Sequence, residues 1–241
     1  PRFWQSLLNT VMIFCMNFVP QMLFALIFAA MFTGKTYKMR GKGAFKGIYY
    51  LPNILTATSV AVMFYTLFAR PSGGLWQLLT HMGMSTDINL YLMPWPSRII
   101  IAFIQFWMWF GNSMITLSAG ILGINPSVFE AAQLDGAGKG TIFFRITFQA
   151  ISPTTFYLLT VCSIGAFQVL GEVQIMAAKI QNYLGSSYRP VMLFIYDMAF
   201  YDPAGYGYGI AAAASWLLAI FILVVTRISF WLSKKWVHYE I

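Results

Sequence analysis

Charge is what this sequence most lacks. Of 241 residues only 9% are Asp, Glu, Lys or Arg, while 59% are hydrophobic. A soluble domain carries about 25% charged residues. A chain this poor in polar surface cannot coat a globule in water. That excludes a soluble enzyme or binding module and leaves an integral membrane protein. Period-2 alternation is missing as well. Lipid offers no partners to backbone N–H and C=O groups, so spanning elements are helices or a closed barrel. Continuous apolar runs of about 20 residues select helices. Cysteine is scarce. Cys15 and Cys162 both sit inside apolar runs, where a thiol behaves as a small hydrophobe, so neither a disulfide nor a metal is expected of them. His81 and His238 lie in different loops with no ligand spacing around either, which again predicts no metal. No nucleophile–base or metal constellation is visible, so no catalytic residues are assigned and the chain is not read as an enzyme. No glycine-rich GKS or GKT phosphate loop occurs, so any ATP chemistry belongs to another chain.

What is present is a set of long apolar runs. Five spans are predicted: Leu8–Thr33, Ala44–Phe68, Ile99–Leu122, Ile151–Ala178 and Ile210–Leu232. Each is long enough to cross roughly 30 Å of hydrocarbon. Pro52, inside the second, predicts a kink near one interface. With no repeat and no low-complexity tract, residues 1–241 read as one all-α membrane domain.

The net charge is +8, but the basic residues are not arranged for nucleic acid. Lys35, Lys38, Arg40, Lys42 and Lys46 crowd the loop after the first span. Lys139 and Arg145 follow the third, and Lys234 and Lys235 follow the fifth. Arg2, Arg70, Arg98, Lys179 and Arg189 fall on the opposite side. Nine against five puts the first set, and the C-terminus, in the cytoplasm. The chain then opens outside, at Pro1 and without an initiator Met, which predicts at least one upstream helix. On the outer side, Tyr91 and Trp95 suit an aromatic belt. The run Val191–Tyr196 is too short to span and reads as a surface or re-entrant helix. Tyr196, Phe200 and Tyr201 there suit either a delivery protein or an interfacial anchor.

The most patterned polar stretch is Glu130–Pro153, EAAQLDGAGKGTIFFRITFQAISP. Asn125-Pro126 is a good helix start, with Asn as N-cap and Pro in the first turn. A short helix through Glu130–Leu134 is predicted to stop at Asp135-Gly136, a strong turn signal, and a second to resume near Lys139. Ala131 and Ala132 are small enough for close approach by another protein. Phe129 and Leu134 could anchor in a groove, and Glu130 could cap or pair with a basic residue.

This stretch closely resembles the EAA loop of the membrane subunits of binding-protein-dependent ABC importers. Glu130, Ala131, Ala132 and Gly136 match, as does the sugar-type extension Asp135-Gly136-Ala137. Ile146 takes the isoleucine position and Pro153 the later proline. Phe148-Gln149 stands where the family pattern has Leu-Pro. Phe3–Thr10 resembles the start of the permease core in carbohydrate-type members, and Gly205–Ala213 resembles the lead into the last helix. Ala166–Val173 resembles the helix that carries part of the sugar site in maltose-type permeases, although Ala177–Asn182 replaces the usual Thr-Gly-Gly-Gly-Pro turn. The resemblance implies a type I importer permease core, with the loop at about 123–150 docking through Phe129, Glu130, Ala131, Ala132, Leu134, Asp135, Gly136 and Ala137 into a cytoplasmic ATPase. It implies an ABC ATPase dimer that binds ATP and Mg, a second and different permease subunit, an extracytoplasmic solute-binding protein, and a sugar or oligosaccharide as cargo. It also implies the bacterial cytoplasmic membrane as location. The permease itself would hold no cofactor.

Polar residues within spans are costly in lipid and face a cavity or another helix. Gln168, Gly171, Glu172 and Gln174 in the fourth span, with Gln105 and Asn112 in the third, are the substrate-path candidates. Gln168 and Glu172, four apart, would share a helix face. Interhelical bonding explains the same residues, including Ser113. Trp107 and Trp109 point to different faces, so at most one lines a path. The competing class is a secondary transporter or channel working alone. It would need coupling carboxylates in the membrane, for which Glu172 is the candidate.

Overall fold

The computed structural model describes residues 2–33, 41–68, 73–83, 90, 93–179, 189–201, 205 and 207–238. The basic cluster at Lys35, Lys38 and Arg40, the turn at Arg70, and Tyr91 lie outside them. Among the described residues the elements are helical. They run α1 (Arg2–Thr33), α2 (Lys42–Ile54), α3 (Ala57–Phe68), α4 (Gly74–His81), α5 (Pro94–Leu122) and α6 (Pro126–Leu134). Next come α7 (Lys139–Thr141), a π-helical turn (Ile142–Thr147) and α8 (Phe148–Ala150). The chain ends with α9 (Ser152–Ala166), α10 (Gly171–Lys179), α11 (Val191–Phe200) and α12 (Gly207–Ser233). Four helical stretches are long and apolar enough to cross a membrane, and a bent pair makes a fifth.

Three predicted spans appear as single helices, α1, α5 and α12, each longer than its sequence bounds. The second span does not. It divides into α2 and α3, and the chain bends by 93° between them. Pro52 denies α2 one backbone donor near its end. Thr56 then starts a new helix. Its hydroxyl oxygen accepts from the Ser59 N–H at 3.2 Å and donates to Ser59 Oγ at 2.9 Å, a side-chain N-cap. The fourth span is interrupted too, with non-helical residues 167–170 between α9 and α10.

The chain gathers into two compact units. The first holds Pro1–Phe18, Ile54–Trp107 and Gly165–Ile222, and the second Val19–Asn53, Met108–Ile164 and Leu223–Ile241. In the first unit, Leu7, Phe167, Val191, Phe194, Ala211 and Leu218 form one apolar cluster, and Ile13, Ile101, Val173 and Leu193 another. The short apolar run read as a surface or re-entrant helix is α11. Val191, Leu193, Phe194 and Ile195 are buried, so it is not a surface helix. Its start is tied down by polar bonds. The Val191 N–H donates to Thr10 Oγ1 at 2.9 Å, and Asn9 Nδ2 donates to the Arg189 carbonyl at 3.2 Å. Arg98 Nη2 donates to Asn9 Oδ1 at 2.8 Å, and Arg189 pairs with Asp197 at 3.4 Å. Burial pushes the Asp197 carboxyl above its usual range, and Arg189 draws it part of the way back. Ionising Asp197 as pH rises above its unfolded value therefore takes stability away from this unit.

In the second unit, Gly111 lets α5 press onto α2. A Cβ there would overlap the Tyr49 carbonyl oxygen. Phe28, Tyr49 and Phe110 close around the crossing, with ring centroids 5.2–5.6 Å apart. Gly120 plays the same part against α9, where an added Cβ would lie 2.9 Å from Thr154 Oγ1.

Candidate functional site

The patterned loop lies wholly in the second unit. Asn125 caps α6, its Oδ1 accepting from the Ser127 N–H at 3.1 Å, and Pro126 fills the first helical position. The end of α6 is a Schellman motif. The Gly136 N–H donates to the Gln133 carbonyl at 3.1 Å, and the Ala137 N–H reaches back to the Ala132 carbonyl at 2.9 Å. Gly136 has φ +73°, the left-handed conformation the motif needs and one that costs other L-residues. The spacing of the motif thus has a local cause. Ala132 and Ala137 occupy the two positions whose backbones join in the motif, and both are half-buried while their neighbours are exposed.

No residue of α6 is buried. Phe129 is half-buried, Glu130 and Ala131 are exposed, and Leu134 is 89% exposed. A leucine held out this far at a capped helix end has no apolar cover among the described residues. Asp135, the C-cap, is exposed beside it. The arrangement is an exposed helix, capped at both ends, with small residues and one exposed apolar side chain.

The polar candidates of the spans do not form one group. Gln168 and Glu172 do not share a helix face, contrary to their spacing. The α9 helix stops at Ala166, and Gln168 sits in a turn whose N–H donates to the Gly165 carbonyl at 3.0 Å. Gln168 is exposed, whereas Glu172, in the first turn of α10, is buried. Glycines at 165 and 171 flank the interruption and weaken helix on both sides of it. Gly171 brings α10 close to α3, with an added Cβ only 3.2 Å from Ala57 Cβ. Gln174 is half-buried, its N–H donating to the Leu170 carbonyl. Asn112 is half-buried and Ser113 buried, the latter accepting from Gln21 Nε2 at 2.7 Å. Trp107 packs edge-on to Phe64 at 5.4 Å, and Trp109 is exposed.

Gln105 stands apart. With Thr10 and Asn17 it supplies the polar lining of a small cavity of about 10 Å³ in the first unit, otherwise walled by Ile13, Phe14, Ile101, Val169 and other apolar groups. Gln105 is 5% and Asn17 9% exposed, yet Gln105 Nε2 and Asn17 Oδ1 have no hydrogen-bond partner among the described residues. Unpaired buried polar atoms cost on the order of 1–3 kcal/mol each, so a built pair facing one cavity calls for a polar guest. The space as it stands admits one water-sized group. Sequence reasoning missed Asn17 and Gln21. They are four apart on α1 and continue a line of buried polar residues from Ser6 and Thr10, a signal that was there to be read.

No protein-family model matches the chain. Curated relatives do. It is 30% identical over 241 residues to the probable ABC transporter permease protein YesP of Bacillus subtilis, covering 99% of this chain and 75% of that one. It is 26% identical over 236 residues to the lactose transport system permease protein LacF of Rhizobium radiobacter, covering 98% and 77%. Among solved structures, a chain of the bacterial alginate ABC transporter in complex with its alginate pentasaccharide-bound periplasmic protein superposes with a TM-score of 0.84 at 23% identity, covering 100% of this chain and 81% of that one. At that identity the likeness speaks for the fold.

Proposed function

Because this chain belongs to the ABC transporter permease family, we propose that it is the permease subunit of an ATP-driven, binding-protein-dependent importer of a sugar or oligosaccharide. A permease subunit is a multi-pass membrane protein and not itself catalytic. The observation that carries the reading is α6: capped at both ends by its own sequence, buried nowhere, and bearing the residues of the EAA pattern. In this reading the whole chain, 1–241, is one transmembrane domain. Its loop at about 123–150 faces the cytoplasm of a bacterial cell across the inner membrane, with the C-terminus on the same side. An ABC ATPase dimer binds ATP and Mg and receives Phe129, Glu130, Ala131, Ala132, Leu134, Asp135, Gly136 and Ala137. Closure of the dimer moves α6, and the spans shift from inward to outward access.

A second, different permease subunit completes the path, and an extracytoplasmic solute-binding protein delivers the cargo. Sugar cargo is favoured by relatives named for lactose and arabinooligosaccharide transport. Gln105 and Asn17, already buried and unpaired, are the strongest cargo-facing groups, ahead of Glu172, Gln174, Asn112 and Gly171. The cavity, about 10 Å³, is far too small for a sugar ring, so in this reading alternating access widens it. The test is substrate-stimulated ATPase activity of the reconstituted complex, screened across sugars with the cognate binding protein. Stimulation by one sugar class supports the reading. A complex whose ATPase responds to no sugar, and responds to another solute, contradicts the cargo assignment.

A further inference from the structure

We propose that the π-helical turn Ile142–Thr147 is a one-residue slip element that converts a displacement of α6 into rotation at the foot of α9. The inference rests on the importer reading, in which α6 is pushed by an ATPase.

Two observations carry it. The first is the turn itself. On its near side the Ile142 N–H donates to the Gly138 carbonyl at 3.0 Å, and on its far side the Ile151 N–H donates to the Thr147 carbonyl at 3.0 Å, both α-type steps. Between them the helix is π, so the segment holds one residue more than an α-helix of the same rise. Thr147, which is buried, turns its hydroxyl back to the Ile142 carbonyl five residues earlier, at 3.4 Å. That side-chain bond shares the carbonyl at the mouth of the wide turn. Such turns are rare and frequently found at functional sites.

The second observation is what lies on either side. Downstream, the base of α9 is clamped. Ser152 Oγ accepts from the His238 N–H of the C-terminal segment at 2.9 Å. Phe156 sits edge-on to Phe230 at 4.9 Å and to Trp236 at 6.2 Å. Gly120 of α5 lies against Thr154. Upstream, α6 is buried nowhere. An exposed lever and a fixed base are therefore joined by residues 135–151. Within that stretch the Schellman turn is locked by its own backbone bonds, so the π turn is the element with a second hydrogen-bonding register within reach. Passing from i→i+5 to i→i+4 bonding shortens the segment's radius, moves one residue out of the helix, and rotates α7 against α9. A displacement of α6 can be converted in this way into rotation of α7 about the base of α9 without breaking the clamp.

The experiment deletes Phe144, an exposed residue of the turn, which forces plain α-helix across it. Phe144→Ala is the control for any contact made by the ring. Both are measured in the whole transporter complex in proteoliposomes with its binding protein. The deletion should retain the ATPase subunit on purification but lose about tenfold or more of ATP-dependent uptake, while Phe144→Ala stays within about twofold. Uptake unchanged by the deletion overturns the inference alone. Loss of uptake together with loss of the ATPase subunit also overturns it, because the segment would then serve docking. Wild-type uptake that needs no ATP overturns the importer reading and this inference with it. Hydrogen exchange of the wild-type complex decides the matter independently of any variant. Amides 142–147 should change protection by about tenfold between nucleotide-free and ATP-trapped states, with 152–166 steady, and equal protection in both states overturns the slip.

Discussion

Two glycines show how single residues set this molecule's behaviour, and they do so by different physics. Gly111 is needed for space. Any Cβ would strike the Tyr49 carbonyl, and neither backbone can yield without opening the Phe28–Tyr49–Phe110 cluster. Gly111→Ala should cost about 3 kcal/mol or more and lower the unfolding temperature of the purified complex by several degrees. Gly43→Ala and Gly47→Ala, which meet nothing within 4 Å, should leave it unchanged or slightly raised. Gly136 is needed for its φ of +73°, with open space around it. Gly136→Ala should leave global stability almost intact but disfavour the Schellman turn by roughly 1 kcal/mol, about a fivefold loss of the docking-competent loop. Gly136→Asn, better tolerated in that conformation, should restore part of the loss in ATPase association, measured by co-purification. At Gln105 the issue is an unpaired donor. Gln105→Leu removes a buried orphan and should hold or raise stability, while weakening cargo-stimulated ATPase activity. Reduced stability with normal stimulation would show that the side chain serves packing instead.

Elements were legible in the sequence where one strong local signal decided them. Asn125-Pro126 and Asp135-Gly136 bracket α6, because a cap, a first-turn proline and a left-handed glycine act within four residues. The long apolar runs gave α1, α5 and α12 for a similar reason, since length alone suffices. The failures came where a break inside an apolar run matters more than the run. Pro52 announced the bend in the second span, though not that Thr56 restarts the helix as α3 after a turn of 93°. The interruption at 167–170 separated Gln168 from Glu172, so a four-residue spacing that implies one face in a helix implied nothing here. The π turn left no readable signal, since Ile142–Thr147 is as compatible with α as with π by composition. At this scale α6 makes its own prediction. Leu134 is 89% exposed, so Leu134→Ser should cost no stability. If the leucine fills a groove in the ATPase, the same change should weaken association about tenfold, read by titrating the solubilised complex.

The whole molecule presents an exposed polar loop and a buried polar pair with no hydrogen-bond partner among the described residues. Both fit the proposed subunit, driven at one site to open another. The central claim is that an ATPase in trans drives this permease through α6. It is tested most directly by ATP-dependent uptake of sugar into proteoliposomes containing the full complex, comparing wild type with the double variant Glu130→Ala, Gly136→Asp. The account predicts that wild-type uptake requires ATP, and that the double variant, folded and inserted, loses uptake together with its ATPase partner. Uptake by the wild-type chain without any ATPase, or by the double variant at the wild-type rate, would contradict it.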